Sequence, residues 1–539
     1  MSDATEQVLN VVSVRPEEKA GGGYEGAQRL SRELYRWTPT LISPNMAISA
    51  DKHGADSRSV DMVQNDALTR GAVNIHKDSI VGAQYLLNAK PNTDVLGAPD
   101  GWAEEFQRVV ESKFNMLAES PSNWFDASRM NTFTGLIRLG VSSFCMFGEV
   151  LSTAEWIDDD PTRPFRTALQ MIAPPRLSNK DGQADTDRIK SGVRQDRYGA
   201  PLSYFIRTSF PNDPTELYNY TWKEVPRVTP WGRYQVIHIL EQLFPSEARG
   251  MPEMVSALKD MKMTKNYKEI SLQNAVIQAS YAAAIESELP SEMVYSQLGA
   301  GNIPFKEMLG AYLGSMAEYM GAAGGISLDG AKIAHLFPGS KLNVMPMGTP
   351  GGLGSEFEAS LLRHIAAAFG LSYEELARDY TKTNYSSARA ANANTERFMA
   401  ARKKMVADRQ AWHIYMLWLE EQVSRGEVPM PPGLTKAKFF RDPLMREAMA
   451  SCTWIGGSKG QIDEKKETEA ALMKINGGIS TREAEIAKLG GDWRQVMKQM
   501  KREQDYAAKL GLQLNQAPNN QNTAQGASGA RDEEDTDNE

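Results

Sequence analysis

Three sets of residues in this chain could do chemistry. The first is Asp158-Asp159-Asp160, the one carboxylate run in the body of the sequence that could tempt a metal assignment. Adjacent side chains on an extended chain point to opposite faces, so three in a row converge on one ion only within a loop. Pro161 follows directly, and the run reads as a solvated turn. The second set is the histidines at 53, 76, 238, 335, 364 and 413, no two of which have ligand spacing; each reads as a structural histidine. The third is Leu371–Ser387, where Tyr373, Arg378, Tyr380, Lys382 and Tyr385 sit among serines and threonines. Aromatics and cations interleaved in this way suit contact with a phosphate backbone. The same residues also suit a capped connector, with Ser386 or Ser387 as N-cap of the helix that follows. The sequence has no G-x-x-x-x-G-K-[ST], H-E-x-x-H or C-x-x-C. Its two cysteines, Cys145 and Cys452, lack a second ligand at metal spacing, so no zinc site or disulfide framework is implied and a reducing compartment fits.

The elements that must hold Leu371–Ser387 follow from periodicity. Phe357, Leu361, Leu362, Ile365 and Phe369 have helical spacing in SEFEASLLRHIAAAFG, with Gly370 as the stop. Ala388 to Val423 contains no Gly or Pro and predicts one helix of roughly 50 Å. Upstream, Pro252 opens a helix that can reach Glu288 before Pro290. Lys259, Lys262, Lys265 and Lys268 wind around that rod as a solvated ridge, because every third residue does not stay on one face. Between Pro290 and Pro350 lies a small α+β insert, with a helix over Pro304–Met320 and short strands in GGISLDG, AKIAHLF and KLNVMPM. The two flanking helices can run back antiparallel, with the insert at their tip.

The front half predicts helices around Val60–Ile80, over Trp102–Leu117, and from Asn131 towards Trp156, the last turning into a strand near Val150. Phe165–Leu243 is β-rich, with a hairpin at Arg194–Phe205 around Arg197-Tyr198-Gly199. After PMPPG come helices at Asp463–Ile475, at Ser480 with Glu483 completing a capping box, and at Asp492–Lys509. The fold class is α+β and mainly helical. At 539 residues the chain can bury a large core and divide into several subdomains. A formal net charge of −8 rules out bulk basicity as a way of binding nucleic acid, leaving local contact or confinement. The 26 methionines suit adaptable packing between subunits as well as ordinary core filling. The first residues lack a signal-peptide pattern, and no run of about 18 apolar residues occurs, so no membrane span is expected. Residues 1–26 read as a flexible arm and 516–539 as a disordered acidic tail.

Several segments taken together resemble a known family. They are NIHKDSIVG, QNAVIQASYAAAIESELP, ASLLRHIAAAFGLSYEELARDY followed by NYSSARAANANTERF, and CTWIG. In this set and order the chain is similar to the portal proteins of tailed bacteriophages, of the lambda type. The resemblance implies a ring of identical subunits, generally dodecameric, at one capsid vertex of the virion, assembled in the bacterial cytoplasm. Double-stranded DNA passes through its channel, driven by the terminase motor, and is later ejected. The major capsid protein and a neck or adaptor protein are the other implied partners, with no cofactor, no metal, no membrane and no catalysis.

Carried over by order of segments, the resemblance implies a wing over 27–251, a stem helix over 252–289, a clip over 290–354 and a second stem helix over 355–370. A tunnel loop would follow over 371–387, a long wing helix and linker over 388–435, and crown-side helices over 436–515. Tyr373, Arg378, Tyr380, Lys382 and Tyr385 would face the DNA channel, and Lys332, His335 and Lys341 would be clip residues meeting the motor. The competing readings are another ring-forming head–tail connector or scaffold, and a metal-dependent hydrolase using Asp158–Asp160.

Overall fold

The computed structural model describes residues 34–214, 220–281, 326–328, 331–333, 353–381, 383–458 and 464–512, with residues 27, 310 and 314. The front of the chain forms α1 (Pro44–Asn65) and α2 (Ala67–Ile80). These are two helices where the periodicity predicts one helical region, because the Asp66 side chain caps α2 by accepting from the Thr69 amide. Strand β1 (Leu86–Ala89), the single turn α3 (Thr93–Leu96), α4 (Asp100–Ala118) and α5 (Phe133–Phe147) follow. Phe106, Val110 and Phe114 line the buried face of α4.

Around Phe114 the core is aromatic, with ring centroids of Phe125, Phe133, Trp418 and Tyr415 at 5.0, 5.1, 5.3 and 5.6 Å. Two of those rings come from the long helix near the C-terminal end, so sequence-distant segments share one core.

The β-rich stretch forms two antiparallel sheets. β2 (Glu149–Trp156) pairs with β3 (Thr167–Ile172) on one side and β8 (Val236–Leu240) on the other. The second sheet has the order β4 (Ile189–Lys190), β5 (Val193–Gln195), β6 (Pro201–Arg207), β7 (Trp222–Pro226). The hairpin expected at Arg194–Phe205 is present as β5–β6, with Val193 opposite Tyr204 and Gly199 at φ +84° in the turn.

A 3-10 turn at Glu253–Ala257 leads into α6 (Leu258–Tyr281), so the α-helix starts some residues later than Pro252 predicts. Strands β9 (Ile326–Leu328) and β10 (Ala331–Ile333) form an antiparallel hairpin. The expected strand in KLNVMPM, nearly all of the expected helix Pro304–Met320, and the predicted extension of α6 towards Glu288 lie outside the described residues. The second rod returns as α7 (Leu353–Ala368). Asp260 meets His364 at 2.6 Å, Lys268 meets Glu358 at 3.0 Å, and the Tyr267 ring lies 6.2 Å from Phe357. The partners fall in number as α6 advances, so the two helices run antiparallel. Two of the four lysines are engaged: Lys268 by Glu358, and Lys265 by the Asn65 carbonyl at 3.2 Å.

The uninterrupted long helix predicted from Ala388 differs in two respects. It begins at Tyr385, and it is α9 (Tyr385–Arg402), a π-helical turn over Lys403–Ala407, then α10 (Asp408–Arg425), ending at Gly426 with φ +77°. Together these span roughly 60 Å at 1.5 Å per residue. Sequence spacing cannot reveal a π turn, which adds one residue without changing the polar or apolar character of its neighbours. Ile414–Val423 are buried on every side, so α10 is a spine through the body.

The chain then forms α11 (Lys436–Arg441), α12 (Pro443–Met449) and β11 (Cys452–Ile455). β11 pairs antiparallel with β1, Leu86 opposite Ile455, and ties the two ends of the body together. Three helices close the described chain: α13 (Glu464–Asn476), α14 (Arg482–Lys488) and α15 (Trp493–Lys509). Thr481, not Ser480, caps α14, and Glu483 reaches Lys90 and Asn88 where the sequence pattern predicts a capping box.

Candidate functional site

The carboxylate run behaves as a turn. Asp160 accepts from the Thr162 amide at 3.0 Å and pairs with Arg129 at 2.8 Å, while Asp158 accepts from the Trp156 indole at 3.0 Å and pairs with Arg166. No group of three metal-capable side chains gathers among the described residues. Two glycine spacings coincide with enzyme signatures: Gly21–Gly26 with G-x-G-x-x-G and Gly456–Gly460 with G-x-S-x-G. The first lies outside the described residues. The second follows β11 in a two-stranded antiparallel sheet, not a strand turning directly into a helix as a nucleophile elbow requires. Gly457 has a packing reason, since a Cβ there would meet the Asp78 carbonyl oxygen at 2.5 Å.

The described histidines serve the fold. His76 Nε2 meets the Phe369 carbonyl at 3.0 Å, and burial with the nearby Arg402 cation lowers its pKa to about 4. His238 faces Glu149 at 3.0 Å, and His364 faces Asp260.

A charged cluster that no sequence pattern announces sits where α6 leaves the body. Glu149, at the start of β2, is fully buried. Arg249 Nη2 donates to its Oε1 at 2.6 Å, Arg249 Nε lies 3.0 Å from both carboxylate oxygens, and the Gly250 amide donates at 3.1 Å. Lys52 on α1 stands 3.4 Å away. Burial alone would raise the Glu149 pKa, but Arg249, Lys52 and the His238 hydrogen bond hold the carboxyl well below its usual range. Arg249 also donates to the carbonyls of Leu177, Ser191 and Pro174 at 2.6, 2.9 and 2.9 Å. Lys52 donates to Asp56 at 2.7 Å and to the Phe147 carbonyl at 2.7 Å, and burial pushes Asp56 up to about 6 against that cation.

Backbone packing closes the same corner. A Cβ on Gly250 would lie 2.1 Å from the Gly148 carbonyl oxygen, and one on Gly148 would lie 2.2 Å from that of Met251. Arg402, on the last turn of α9, reaches Glu253 in the 3-10 turn and stacks over Phe144 and Phe398 at 4.9 and 4.6 Å. The root of α6 is thus clamped by groups from α1, β2, β8 and the long helix.

At the same end of the antiparallel pair, α7 stops at Gly370 (φ +64°), where a Cβ would meet the Phe398 ring at 2.5 Å. The segment that follows is more ordered than a plain loop. Ser372 and Glu375 form a capping box for a short helix α8 (Tyr373–Ala377). Arg378 adopts φ 53°, the left-handed region, and ends α8 as its C-cap. Asn384 caps α9 by accepting from the Ser387 amide at 2.9 Å, a correction to the expected caps at Ser386 or Ser387.

Of the residues predicted to touch DNA, Arg378 and Tyr380 are exposed, while Tyr373 is half-buried, its hydroxyl 3.3 Å from Asp379 and its ring under the Arg363 guanidinium at 5.4 Å. Tyr385 is the first residue of α9, and Lys382 lies outside the described residues. Of the predicted clip residues, Lys332 lies in β10 opposite Ser327, and His335 and Lys341 lie outside the described residues.

Comparison with known proteins decides what this architecture belongs to. Residues 30–403 match the family described as phage portal protein, lambda family. The chain is 36% identical over 495 residues to the portal protein of Escherichia phage N15, covering 91% of this chain and 90% of that one. It is 35% identical over 494 residues to portal protein B of Escherichia phage lambda, covering 91% of each. The chain belongs to the lambda family of phage portal proteins. Among solved structures, the virion of a native gene transfer agent particle is similar at 12% identity and a TM-score of 0.38. That comparison covers 83% of this chain and 98% of the other.

A portal protein is a structural, ring-forming component of the virion's portal vertex and not an enzyme, which matches the lambda-type resemblance of the sequence. The portal chain's mainly helical α+β body agrees with the expected fold class. Sequence reading missed the α6 root, because Glu149 and Arg249 are a hundred positions apart and only Glu149's place behind an apolar helix marks it as unusual.

Proposed function

We propose that twelve copies of this chain form the ring, with double-stranded DNA passing along its axis during packaging by a terminase and during ejection. The major capsid protein surrounds the ring, and a neck or adaptor protein attaches to it later. In this reading 27–251 is the wing, and the α6–α7 pair is the stem, within 252–289 and 355–370. Residues 290–354 form the clip, carrying Lys332, His335 and Lys341 towards the motor. Residues 371–387 are the tunnel loop, 388–435 the long wing helix and its linker, and 436–515 the crown side.

One observation carries the reading. Two antiparallel helices leave the body at a rigidly clamped root, and the return helix feeds a short turn that enters the long spine. A rod pair fixed at one end presents its far tip to a partner, and the turn at its base lies where the rod meets the body. A conduit must not grip its cargo: a net charge of −8 lets a polyanion slide where a basic bore would hold it.

The test is the double variant Arg378→Ala with Lys382→Ala. Rings should form as before, since replacing an exposed side chain such as Arg378 usually costs little stability. Packaged DNA length or DNA retention should change. A variant that packages and retains a full genome at the parental rate removes these two cations from DNA handling.

A further inference from the structure

The last two described helices sit on the body without joining its core. Among the described residues, none of α14 or α15 belongs to the hydrophobic core or packs against it. α14 buries no residue, and α15 buries only Ala507. Two polar clasps hold the pair, with their charges reversed. On α14, Glu483 pairs with Lys90, just after β1, at 2.7 Å and accepts from Asn88 of β1 at 2.7 Å. On α15, Arg494 pairs with Glu111 of α4 at 3.3 Å and donates to Gln107.

A cavity of about 790 Å³ lies at the second clasp, between α4 and α15. Glu111 lines it together with Trp493, Arg494 and Met497 of α15. The other charged groups on its wall are Glu104, Arg108 and Glu119 from α4 and its C-cap, and Asp492 and Lys498 from α15 and its N-cap. Glu111 is only 8% exposed, and its carboxylate accepts from the Ala89 amide at 2.9 Å. A segment tied down by a few polar bonds opens at a lower free energy than the core to which it is tied.

We infer that α14–α15 is a latch that closes over Glu111 and opens as a unit, with the charge on that carboxylate setting how firmly it closes. Closing takes the carboxyl out of water. Burial, with Asp492 as a nearby like charge, outweighs Arg494 and the Ala89 amide and raises its pKa to about 7. An open latch returns Glu111 to water at its ordinary 4.5. The closed form therefore holds the proton more tightly, and closure weakens as pH rises from 4.5 to about 7. The first clasp does not oppose this. Burial would raise Glu483, but hydrogen bonds from Lys90 and Asn88 hold it below its ordinary range, so it stays ionised above about pH 5.5. The latch thus holds in mild acid and loosens towards neutrality.

Hydrogen–deuterium exchange of the purified full chain tests this, read by mass spectrometry and corrected for the intrinsic pH dependence of exchange. α15 should open more readily than the core helix α10 at every pH. Between about pH 5.5 and about pH 8 its opening constant should rise about 25-fold, from the two pKa values of Glu111. Glu111→Gln cannot titrate and should abolish that rise. Lys90→Ala breaks the other clasp and should raise opening about twofold to fivefold at both pH values without changing the slope. Exchange of α15 in step with α10 would overturn the independent latch, and so would a Lys90→Ala chain with unchanged α15 exchange. An opening constant that ignores pH, or that keeps its rise in Glu111→Gln, would overturn control by Glu111.

Discussion

Removing the carboxylate at the α6 root is the sharpest test of how the body holds the rod. In Glu149→Ala the Arg249 guanidinium, 3% exposed, keeps its three carbonyl acceptors but loses its counter-charge, and Lys52 keeps Asp56 and the Phe147 carbonyl. Breaking a buried ion pair from one side costs about 3–5 kcal/mol, since the remaining cation stays desolvated. At about 2.1 cal/mol/K of unfolding entropy per residue, a 539-residue chain loses roughly 1 °C of Tm per kcal/mol, so the melting temperature should fall by roughly 3–5 °C. Differential scanning calorimetry of the purified chain reads this, and native mass reads ring formation.

Two controls separate charge from shape. Glu149→Gln should fall between wild type and Ala, because an amide can still accept from the Gly250 amide. Glu149→Leu combined with Arg249→Met should recover much of the loss, since replacing both partners with apolar groups is often close to neutral. The pH dependence has a definite sign. A carboxyl held below its unfolded pKa contributes stability above that unfolded value and loses it as pH falls through the folded one. The gap between wild type and Glu149→Gln should therefore narrow in acid. A Tm change under about 2 °C for Glu149→Ala, or a gap that widens in acid, would refute the reasoning.

Two further outcomes follow from the same structure. Gly250→Ala should destabilise the body by about 2–3 kcal/mol and disturb the direction of α6, because its Cβ would meet the Gly148 carbonyl oxygen at 2.1 Å; limited proteolysis near Arg249 would detect the loosened root. Burial raises Glu111 to about 7 beside Arg494, so the folded state takes up a proton there and this site's contribution to stability falls as pH rises from the unfolded value of 4.5 to about 7. By linkage the fall is about 3 kcal/mol, and denaturant titrations of Glu111→Gln should lack it, while an unchanged pH slope would exclude Glu111 as its source.

Much of this protein is written in local pattern. The helical spacing of Phe106, Val110 and Phe114, the glycine stops at 370 and 426, and the hairpin around Gly199 are short-range signals that tertiary packing did not override. The family is legible for the same reason: its segments keep their order and residue types along one chain. The cap positions were less so, since Asn384 and Thr481 lie one to three residues from equally good hydroxyl candidates, and only the backbone geometry selects among them.

Other features had no local signature at all. The β1–β11 pairing joins strands more than 350 positions apart, and four-residue strands carry too little alternation to announce themselves. The π turn, the burial of α10 on every face, and the Glu149–Arg249–Lys52 cluster depend on which surfaces meet after collapse. Sequence determined the longer helices, their order and the family; tertiary structure decided which short strands pair, which charges were buried together and where the rods are anchored, because desolvation acts on three-dimensional neighbours and not on positions along the chain.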